Sequence, residues 1–404
     1  MLKANVKNKN LQGIREELHD AILSKIDLSR EVADEEIEDI INSAIMAKGQ
    51  DMYISLAEKL RLETELFDSI RKKGVIQPLI DDPTVTEIMV NGMEHIFVER
   101  EGRLFEWDRN FESREALNDV IQQIAAASNR VVNEASPIVD ARLENGARVN
   151  IVMNPVALNG PIITIRRFPD KPIKMEDLIR FGAISTEAVD FLRKLVVAGY
   201  NIFISGGTGS GKTTFLNALS HFIPTETRVI TIEDSAELQI QGIPNLVSLE
   251  TRNANVEGCN PITIRDLIKS SLRMRPDRII VGEVRDGAAL DFLQAANTGH
   301  DGSLSTGHAN SAKDMLSRLE TMVLMAGMEL PLAAIRRQIA SAVDIIVHLG
   351  RLRDKSRKVL EIVEITGYEG GEITFEPLYS FDGERLSKVR ELRFTEKLER
   401  SGIK

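Results

Sequence analysis

Hydrophobic and polar residues follow three successive patterns along the chain, and each pattern predicts a different kind of element. Up to about residue 73, apolar residues such as Ile37, Ile41 and Ile45 recur every three or four positions, which predicts amphipathic helices. From there, short apolar runs are separated by turn dipeptides such as Asn91-Gly92 and Asn145-Gly146, a pattern typical of β-hairpins. After about residue 185, near-continuous apolar strands alternate with helical segments, which predicts a parallel sheet with helices on both faces.

These changes of pattern divide the chain into four predicted segments. They are a helical N-terminal segment (1–73), an α+β domain (74–168), a linker rich in proline and polar residues (169–184) and an α/β domain (185–404). The helical segment is either a solvated arm or a docking module. Near the end of the chain, "AVDIIVHLGRL", "KVLEIVEI" and "EITFEPLY" predict antiparallel strands added to the parallel sheet.

Composition limits the class of protein. The 404 residues are 43% hydrophobic with a formal net charge of −10, which is ordinary for a globular chain and disfavours a general nucleic-acid coat. No stretch approaches ~18 consecutive apolar residues, and the first residues lack the apolar core of a signal peptide. The single cysteine, Cys259, excludes an internal disulfide framework and fits a reducing cytoplasm.

The clearest chemical signal is the stretch "GGTGSGKT" beginning at Gly206. It has P-loop spacing and lies between a predicted strand and a predicted helix, where backbone N–H groups and the helix N-terminus can hold phosphate. Lys212 would bridge phosphates and the Thr213 hydroxyl would bind Mg²⁺. The residues predicted to bind the nucleotide are Gly207, Thr208, Gly209, Ser210, Gly211, Lys212, Thr213 and Thr214.

Two other predicted strands end in acidic residues. "RIIVGE" ends at Glu283, a candidate to orient or deprotonate the attacking water. The residue before it is Gly282, at a position where an aspartate is usual. "VITIED" ends at Glu233 and Asp234. Because parallel strands place their carboxyl ends at one edge of the sheet, Glu233 is predicted to act on metal or water, whereas Asp234 either contributes there or caps a following helix.

Histidines and arginines supply further candidates. His300 and His308 flank a strand of small residues in "TGHDGSLSTGHAN", and His308 is favoured as a sensor of the terminal phosphate. The spacing of cysteine and histidine does not fit a zinc site. Four arginines of the α+β domain suit phosphate oxygens or are ordinary surface charge: Arg142, Arg148, Arg166 and Arg167. Adjacent residues 166 and 167 should point to opposite faces of their strand.

Together these motifs resemble the type II/IV secretion ATPase superfamily of bacterial pilus and secretion motors. Four of its boxes match: the phosphate loop "GGTGSGKT", the acidic box "TIEDSAE", the Walker B variant "RPDRIIVGEVRD" and the His box "TGHDGSLSTGHAN". Within the superfamily, "PLIDDPTVTEIMVNG", "DARLENGARVN" and "ITIRRF" resemble the tight-adherence (Flp) pilus assembly ATPases of the CpaF/TadA type. The resemblance covers residues from about 74 to 349.

The resemblance implies a RecA-like P-loop ATPase domain, with ATP and Mg²⁺ bound between it and the α+β domain. It also implies a cytoplasmic homo-hexamer at the inner face of the cell membrane. This hexamer would reach the membrane through inner-membrane platform proteins and have no nucleic-acid partner. By motif position, Glu283 is the catalytic carboxylate, Glu233 belongs to the acidic box, His308 is the His-box residue, and the four arginines of the α+β domain approach the γ-phosphate.

Three alternatives remain open at the level of sequence. A RecA-like nucleic-acid translocase would need a basic channel dotted with aromatic residues, which 5% aromatic content and an acidic balance disfavour. A small-molecule kinase shares the phosphate loop but needs an acceptor pocket. A nucleotide-gated scaffold would bind ATP without needing Glu283.

Overall fold

The computed structural model describes residues 13–15, 17–19, 21–26, 32–100, 102–168, 172–252 and 260–403. The chain divides into two compact units, Met1–Phe168 and Pro169–Lys404, and each has its own hydrophobic core. Cys259 and the first residues of the predicted linker lie outside the described residues. Within the described ranges, no helix combines the length and the apolar composition needed to cross a bilayer.

The first unit begins with helices that pack around a small core of their own. Residues 13–15, 17–19 and 21–23 are helical, followed by α1 (Asp34–Asp51) and α2 (Leu56–Arg71). Ile41 and Leu66 are fully buried in this core. A capping box starts α2, because the Ser55 side chain accepts the N–H of Glu58 and the Glu58 carboxylate accepts that of Ser55.

The rest of the first unit is an antiparallel sheet with helices. Its elements are a 3₁₀ turn (Gly74–Ile76), α3 (Gln77–Asp81), β1 (Val85–Asn91), β2 (His95–Arg100), β3 (Arg103–Glu106), α4 (Arg114–Ala127), β4 (Ile138–Arg142), β5 (Arg148–Val152) and β6 (Ile162–Arg166). The strand order is β3-β2-β1-β6-β5-β4 with every pair antiparallel. Alternate residues of β4, β5 and β6 are buried, as expected for a sheet with one covered face. The predicted turn after β4 is present, with Gly146 at φ 83°.

The second unit contains a nine-stranded sheet and its helices. The strands are β7 (Ile202–Gly206), β8 (Val229–Glu233), β9 (Leu246–Glu250), β10 (Arg278–Val281), β11 (Leu304–Gly307), β12 (Ile345–Arg351), β13 (Arg357–Glu369), β14 (Glu372–Phe381) and β15 (Leu386–Lys388). The helices are α5 (Met175–Arg180), α6 (Thr186–Ala198), α7 (Lys212–Ser220), α8 (Ile264–Ser271), α9 (Ala288–Ala296), α10 (Ala312–Leu324), α11 (Leu332–Ala342) and α12 (Glu396–Arg400).

The strand order is β15-β14-β13-β12-β7-β11-β10-β8-β9. The six strands from β12 to β9 in this order are parallel, and β13, β14 and β15 extend the sheet in antiparallel fashion. The parallel α/β prediction is therefore confirmed. The prediction that "AVDIIVHLGRL" is an antiparallel addition is wrong, because β12 pairs in parallel with β7 after the crossover through α10 and α11. Its uninterrupted burial from Ile345 to Leu349 is the mark of a central parallel strand.

The segment predicted as a linker contributes to the second unit. Met175, at the start of α5, and Ile184, just before α6, are buried in the same core as the strands β7 and β12. The parallel strands β7, β8, β10, β11 and β12 all end at one edge of the sheet. Side chains that follow these strands therefore meet at this carboxyl edge, where ligands of open α/β sheets bind.

Candidate nucleotide-binding site

The predicted phosphate loop joins the end of β7 to the start of α7. Gly209 and Gly211 have φ of 71° and 92°, a region that costs other residues strain. A Cβ on Gly206 would lie 2.6 Å from the carbonyl oxygen of Leu349 on β12 and 2.5 Å from Ser210 Oγ in the loop, so only glycine fits at this end of β7. The glycines therefore permit the tight turn that points backbone N–H groups at an anion.

Lys212 is the first residue of α7 and is 7% exposed. Its Nζ donates to the carbonyl of Gly207 at 3.1 Å and to His308 Nδ1 at 3.2 Å. Burial lowers the pKa of Lys212, the Glu283 charge opposes this shift, and Arg285 adds to it. Both hydrogen-bond partners are uncharged acceptors, so this ammonium group is available to a phosphate.

A chain of contacts runs from Lys212 through His308 to Glu283. His308 Nε2 lies 3.2 Å from Glu283 Oε1, and Arg285 donates to Glu283 Oε2 at 2.6 Å. Because His308 Nδ1 accepts from Lys212, the neutral tautomer that satisfies both contacts carries its hydrogen on Nε2. The P-loop lysine, the histidine and the carboxylate thus form one connected group at the carboxyl edge of the sheet.

The charges of this group fix its protonation at neutral pH. Burial alone would raise the pKa of Glu283, but the Arg285 hydrogen bond and the nearby cationic groups hold it below the usual value. Burial and the neighbouring Lys212 ammonium lower the pKa of His308, and Glu283 only partly opposes this. Glu283 is therefore a carboxylate and His308 a neutral imidazole, the states in which one accepts and the other relays a proton.

Glu233 lies at the end of β8, next to Gly282, and is 4% exposed. Its Oε2 accepts the backbone N–H groups of Glu237 at 2.8 Å and Leu238 at 2.9 Å. Burial raises its pKa to about 7, although the two backbone hydrogen bonds oppose the shift. A Cβ on Gly282 would lie 2.9 Å from Glu233 Cγ, so Glu233 fills the space that a side chain at residue 282 would need.

Asp234 caps no helix, which excludes one of the two readings of this residue. The segment between β8 and β9 contains no helix in the described range 234–245. Glu233 accepts the backbone N–H groups of Glu237 and Leu238 in this segment. Asp234 Oδ2 instead lies 3.8 Å from Arg285 Nη1. Asp234 thus helps to hold the arginine that hydrogen-bonds to Glu283.

The loop has the properties of an anion site, and its fit to a metal is more limited. Ser210 Oγ is buried, and the described residues supply no hydrogen-bond partner for it, a role that a bound ligand would fill. The described residues contain no group of three or more His, Cys, Asp or Glu side chains able to hold a metal. Mg²⁺ beside nucleotide phosphates needs only one or two protein ligands. Thr213, predicted from the sequence to bind it, is the partly buried second residue of α7.

Several residues near the loop were not singled out from the sequence. Arg285 is one, and its position two residues after Glu283 was a usable signal. Arg357 is another, since its Nε donates to the Gly209 carbonyl at 2.9 Å from a strand far along the chain. Buried His348 on β12 lies with Nδ1 3.0 Å from Ser205 Oγ on β7. His300, in contrast, lies with Nδ1 3.0 Å from the Ala295 carbonyl oxygen near the end of α9.

The arginines predicted from the α+β domain lie in the first unit. In the register of the sheet, Arg142 is opposite Arg148, and Arg148 is opposite Arg166, so three arginines form a row on one face of adjacent strands. Arg166 also lies 3.4 Å from Glu87. Arg167 follows the end of β6 and donates to the Asp82 carbonyl.

A parallel sheet with a glycine-rich loop at its carboxyl edge, leading into a helix, defines an α/β protein of the RecA-like class. The family model described as "Type II/IV secretion system protein" matches residues 69–383. The chain therefore belongs to the type II/IV secretion ATPase family.

Known proteins resemble the chain over most of its length. It is 37% identical over 311 residues to the conjugal transfer protein TrbB of Rhizobium radiobacter, covering 76% of this chain and 91% of TrbB. It is 34% identical over 300 residues to the type IV secretion system protein VirB11 of Brucella suis, covering 68% and 83%. The structure of the Legionella pneumophila ATPase DotB matches with a TM-score of 0.52 and 22% identity over 73% of this chain and 80% of DotB, which shows the shared fold.

Proposed function

We propose that this protein is an ATPase motor that binds ATP with Mg²⁺ at the 206–214 loop and couples hydrolysis to domain motion. The observation that carries the proposal is the connected group of Lys212, His308, Glu283 and Arg285. It connects Lys212, the proposed phosphate-binding lysine, to Glu283, a carboxylate with a lowered pKa. Both lie at the carboxyl edge of the parallel strands. This arrangement is what phosphoryl transfer to water requires.

Each residue of the group has a proposed role. Lys212 holds the β- and γ-phosphates, and the loop from Gly207 to Thr214 surrounds them with backbone N–H groups. Glu283 orients the attacking water and accepts its proton, since it is the carboxylate kept ionised by Arg285. Mg²⁺, when bound, neutralises charge on the phosphate oxygens.

His308 and Glu233 have supporting roles in the proposal. His308 contacts both the lysine that holds the γ-phosphate and the carboxylate that orients water, so loss of the γ-phosphate changes both of its contacts. Glu233 uses Oε2 for the backbone, which leaves Oε1 for a metal-bound water. Thr213 is the proposed direct metal ligand.

The arginine row of the first unit suggests how hydrolysis is coupled to motion. Arg148 lies 3.8 Å from Asp140 and Arg166 lies 3.4 Å from Glu87. Both ion pairs are partly exposed, so the guanidinium groups of the row can still donate hydrogen bonds to an anion. We infer that the γ-phosphate is this anion, with Arg167 at the end of the same strand. Each charged hydrogen bond lost on hydrolysis is worth roughly 1.5–3 kcal/mol, so losing two would shift a hinge equilibrium strongly.

The proposed cellular role follows from the family. Relatives carry the names of conjugal transfer and type IV secretion proteins, so we propose a secretion or pilus motor. The motifs of the α+β domain favour assembly of a Flp/Tad-type pilus. The motor would be a homo-hexamer at the cytoplasmic face of the inner membrane, acting on platform proteins without binding nucleic acid. The mass of the particle assembled with nucleotide would test the hexamer.

ATP turnover by purified variants tests the site. Lys212→Ala should abolish turnover by removing the phosphate contact, whereas Glu283→Gln should abolish turnover and retain bound ATP. Arg180→Ala, at an exposed position on α5 paired with Asp177, is a control that should leave both unchanged. Normal turnover by Glu283→Gln would overturn the catalytic assignment and favour a nucleotide-gated scaffold.

Added DNA separates the motor from a nucleic-acid translocase. We expect single- and double-stranded DNA to leave ATP turnover of the wild-type protein unchanged. Strong stimulation that falls steeply with salt would instead indicate translocation along nucleic acid.

A further inference from the structure

The hairpin between β12 and β13 brings two arginines against the phosphate loop. Arg351 and Arg357 are opposite each other in the register of these strands. Arg357 Nε donates to the Gly209 carbonyl at 2.9 Å, and a Cβ on Gly211 would lie 3.3 Å from Arg357 Cδ. A Cβ on Gly209 would lie 3.7 Å from Arg351 Nη1. Both guanidinium groups are therefore in contact range of the loop that holds phosphate.

These cationic groups have no acidic partner to neutralise them. Among the described residues, neither Arg351 nor Arg357 has a carboxylate within ion-pair distance, and both side chains are exposed. Arg166, an exposed arginine on β6, differs from them because its Nε lies 3.4 Å from a carboxylate oxygen of Glu87. Two adjacent, unneutralised guanidiniums beside a phosphate loop form an electropositive site for a further phosphate group.

The sheet order shows which end of a nucleotide these arginines face. β11 and β10, which carry His308 and Glu283 at their ends, lie on one side of β7, and β12 lies on its other side. The terminal phosphate must lie toward Glu283 for hydrolysis. The nucleoside end of the same ligand therefore lies toward β12 and its arginines.

We propose that Arg351 and Arg357 bind the phosphate group nearest the nucleoside, the α-phosphate of a nucleoside di- or triphosphate. This inference rests on the proposed nucleotide site and adds residues from the same unit to it. Arg357 already fixes the loop through Gly209, and its remaining N–H groups, with those of Arg351, are free to donate to phosphate oxygens. The contact is to phosphate, so it is independent of the base.

Calorimetric binding of ADP, GDP and CDP tests this assignment without requiring turnover. Arg351→Ala and Arg357→Ala should each raise the Kd for all three ligands about 10-fold or more by removing a charged hydrogen bond. Arg353→Ala is the matched control. It removes the same charge from the turn of the same hairpin. Within the described part of the chain, no hydrogen bond or ion pair joins Arg353 to the loop. The melting temperature without ligand should match that of the wild type in Arg351→Ala and Arg353→Ala. Arg357→Ala also loses the hydrogen bond to the Gly209 carbonyl, so Arg351→Ala is the decisive variant.

The outcomes separate this inference from the proposed function. If the wild type and Arg353→Ala bind ADP but Arg351→Ala binds it equally well, the α-phosphate assignment is overturned and the nucleotide site stands. A loss confined to one base would also overturn it, because the guanidiniums would then recognise the base. If the wild type itself binds none of the three ligands, the proposed function fails.

Discussion

At the scale of single residues, Gly282 precedes Glu283, the proposed catalytic carboxylate, at a position where an aspartate is usual. The neighbouring strand β8 supplies the reason. The Glu233 side chain occupies the space in which a side chain at residue 282 would lie. Its position is fixed by the backbone N–H groups of Glu237 and Leu238. A carboxyl group is therefore present beside residue 282, but it belongs to Glu233 on β8. It does not come from the residue that precedes Glu283.

This arrangement predicts an energetic coupling between residues 233 and 282. Gly282→Ala should lower the free energy of unfolding of the second unit by about 1–3 kcal/mol. The added methyl group would overlap the buried Glu233 side chain, which is held by backbone hydrogen bonds. The same change in a Glu233→Ala background should cost clearly less, since the clashing atoms are absent. Denaturant unfolding of the four proteins of this double-mutant cycle measures the coupling. Equal costs in both backgrounds would show that Glu233 does not occupy the space beside residue 282.

At the scale of elements, His348 connects the strand of the phosphate loop to its neighbour. It is 4% exposed on β12, and its Nδ1 lies 3.0 Å from the Ser205 hydroxyl on β7. Burial lowers its pKa, although Glu361, a hydrogen bond to the backbone of Asn310, and Asp314 oppose the shift. The imidazole is thus held neutral between two central parallel strands.

The lowered pKa of His348 predicts a loss of stability on the acid side. Between pH 6.5, the ordinary pKa of histidine, and the lower pKa of the folded state, His348 is protonated in the unfolded chain but neutral in the folded chain. The stability is therefore present above pH 6.5 and decreases as the pH falls toward the folded pKa. His348 should therefore contribute faster hydrogen exchange of the β7 amides, relative to the denatured state, at pH 5.5 than at pH 7.5. Glu233 contributes with the opposite sign, because its raised pKa of about 7 stabilises the folded chain as the pH falls.

A comparison of two histidine variants isolates this effect. His348→Gln should lower the protection of the β7 amides against exchange at pH 7.5. The additional loss of protection between pH 7.5 and 5.5 should be smaller than in the wild type, because the titrating group is gone. His95→Gln, at an exposed position on β2, should leave the pH dependence of β7 exchange as in the wild type. An unchanged pH dependence in His348→Gln would contradict the assignment.

The sequence was sufficient for elements whose signals are local. The apolar run before the glycine-rich loop predicted β7, and the loop itself predicted the start of α7 and the position of Lys212. Contacts between distant segments were not predictable in this way. The parallel direction of β12, the approach of Arg357 to Gly209 across 148 residues, and the filling of the Gly282 space by Glu233 all depend on strand order. Strand order is decided by packing of the whole sheet rather than by local pattern.

At the scale of the whole molecule, the division of residues between the two units has a consequence for function. The phosphate loop, Glu283, His308 and the hairpin arginines all belong to the second unit, whereas Arg142, Arg148 and Arg166 belong to the first. The second unit has separate cores on the two faces of its sheet. We therefore expect the second unit to fold and to bind nucleotide without the first unit.

The second unit expressed alone, residues 172–404, should bind ADP with nearly the affinity of the full chain. It should hydrolyse ATP about 100-fold more slowly or worse, because arginines that stabilise phosphoryl transfer are worth 10³–10⁵ in rate where they have been measured. Loss of assembly would also slow the fragment, so the full-length variant Arg148→Ala provides the decisive comparison, with Arg103→Ala, on the exposed strand β3 of the same sheet, as its control. The arginine variant should assemble to the same mass as the wild type and bind ADP equally, yet turn over slowly. Full turnover by the fragment would mean that the second unit is catalytically complete, and coupling between the units would then need another origin. Full turnover by Arg148→Ala would overturn the proposed contact of Arg148 with the γ-phosphate.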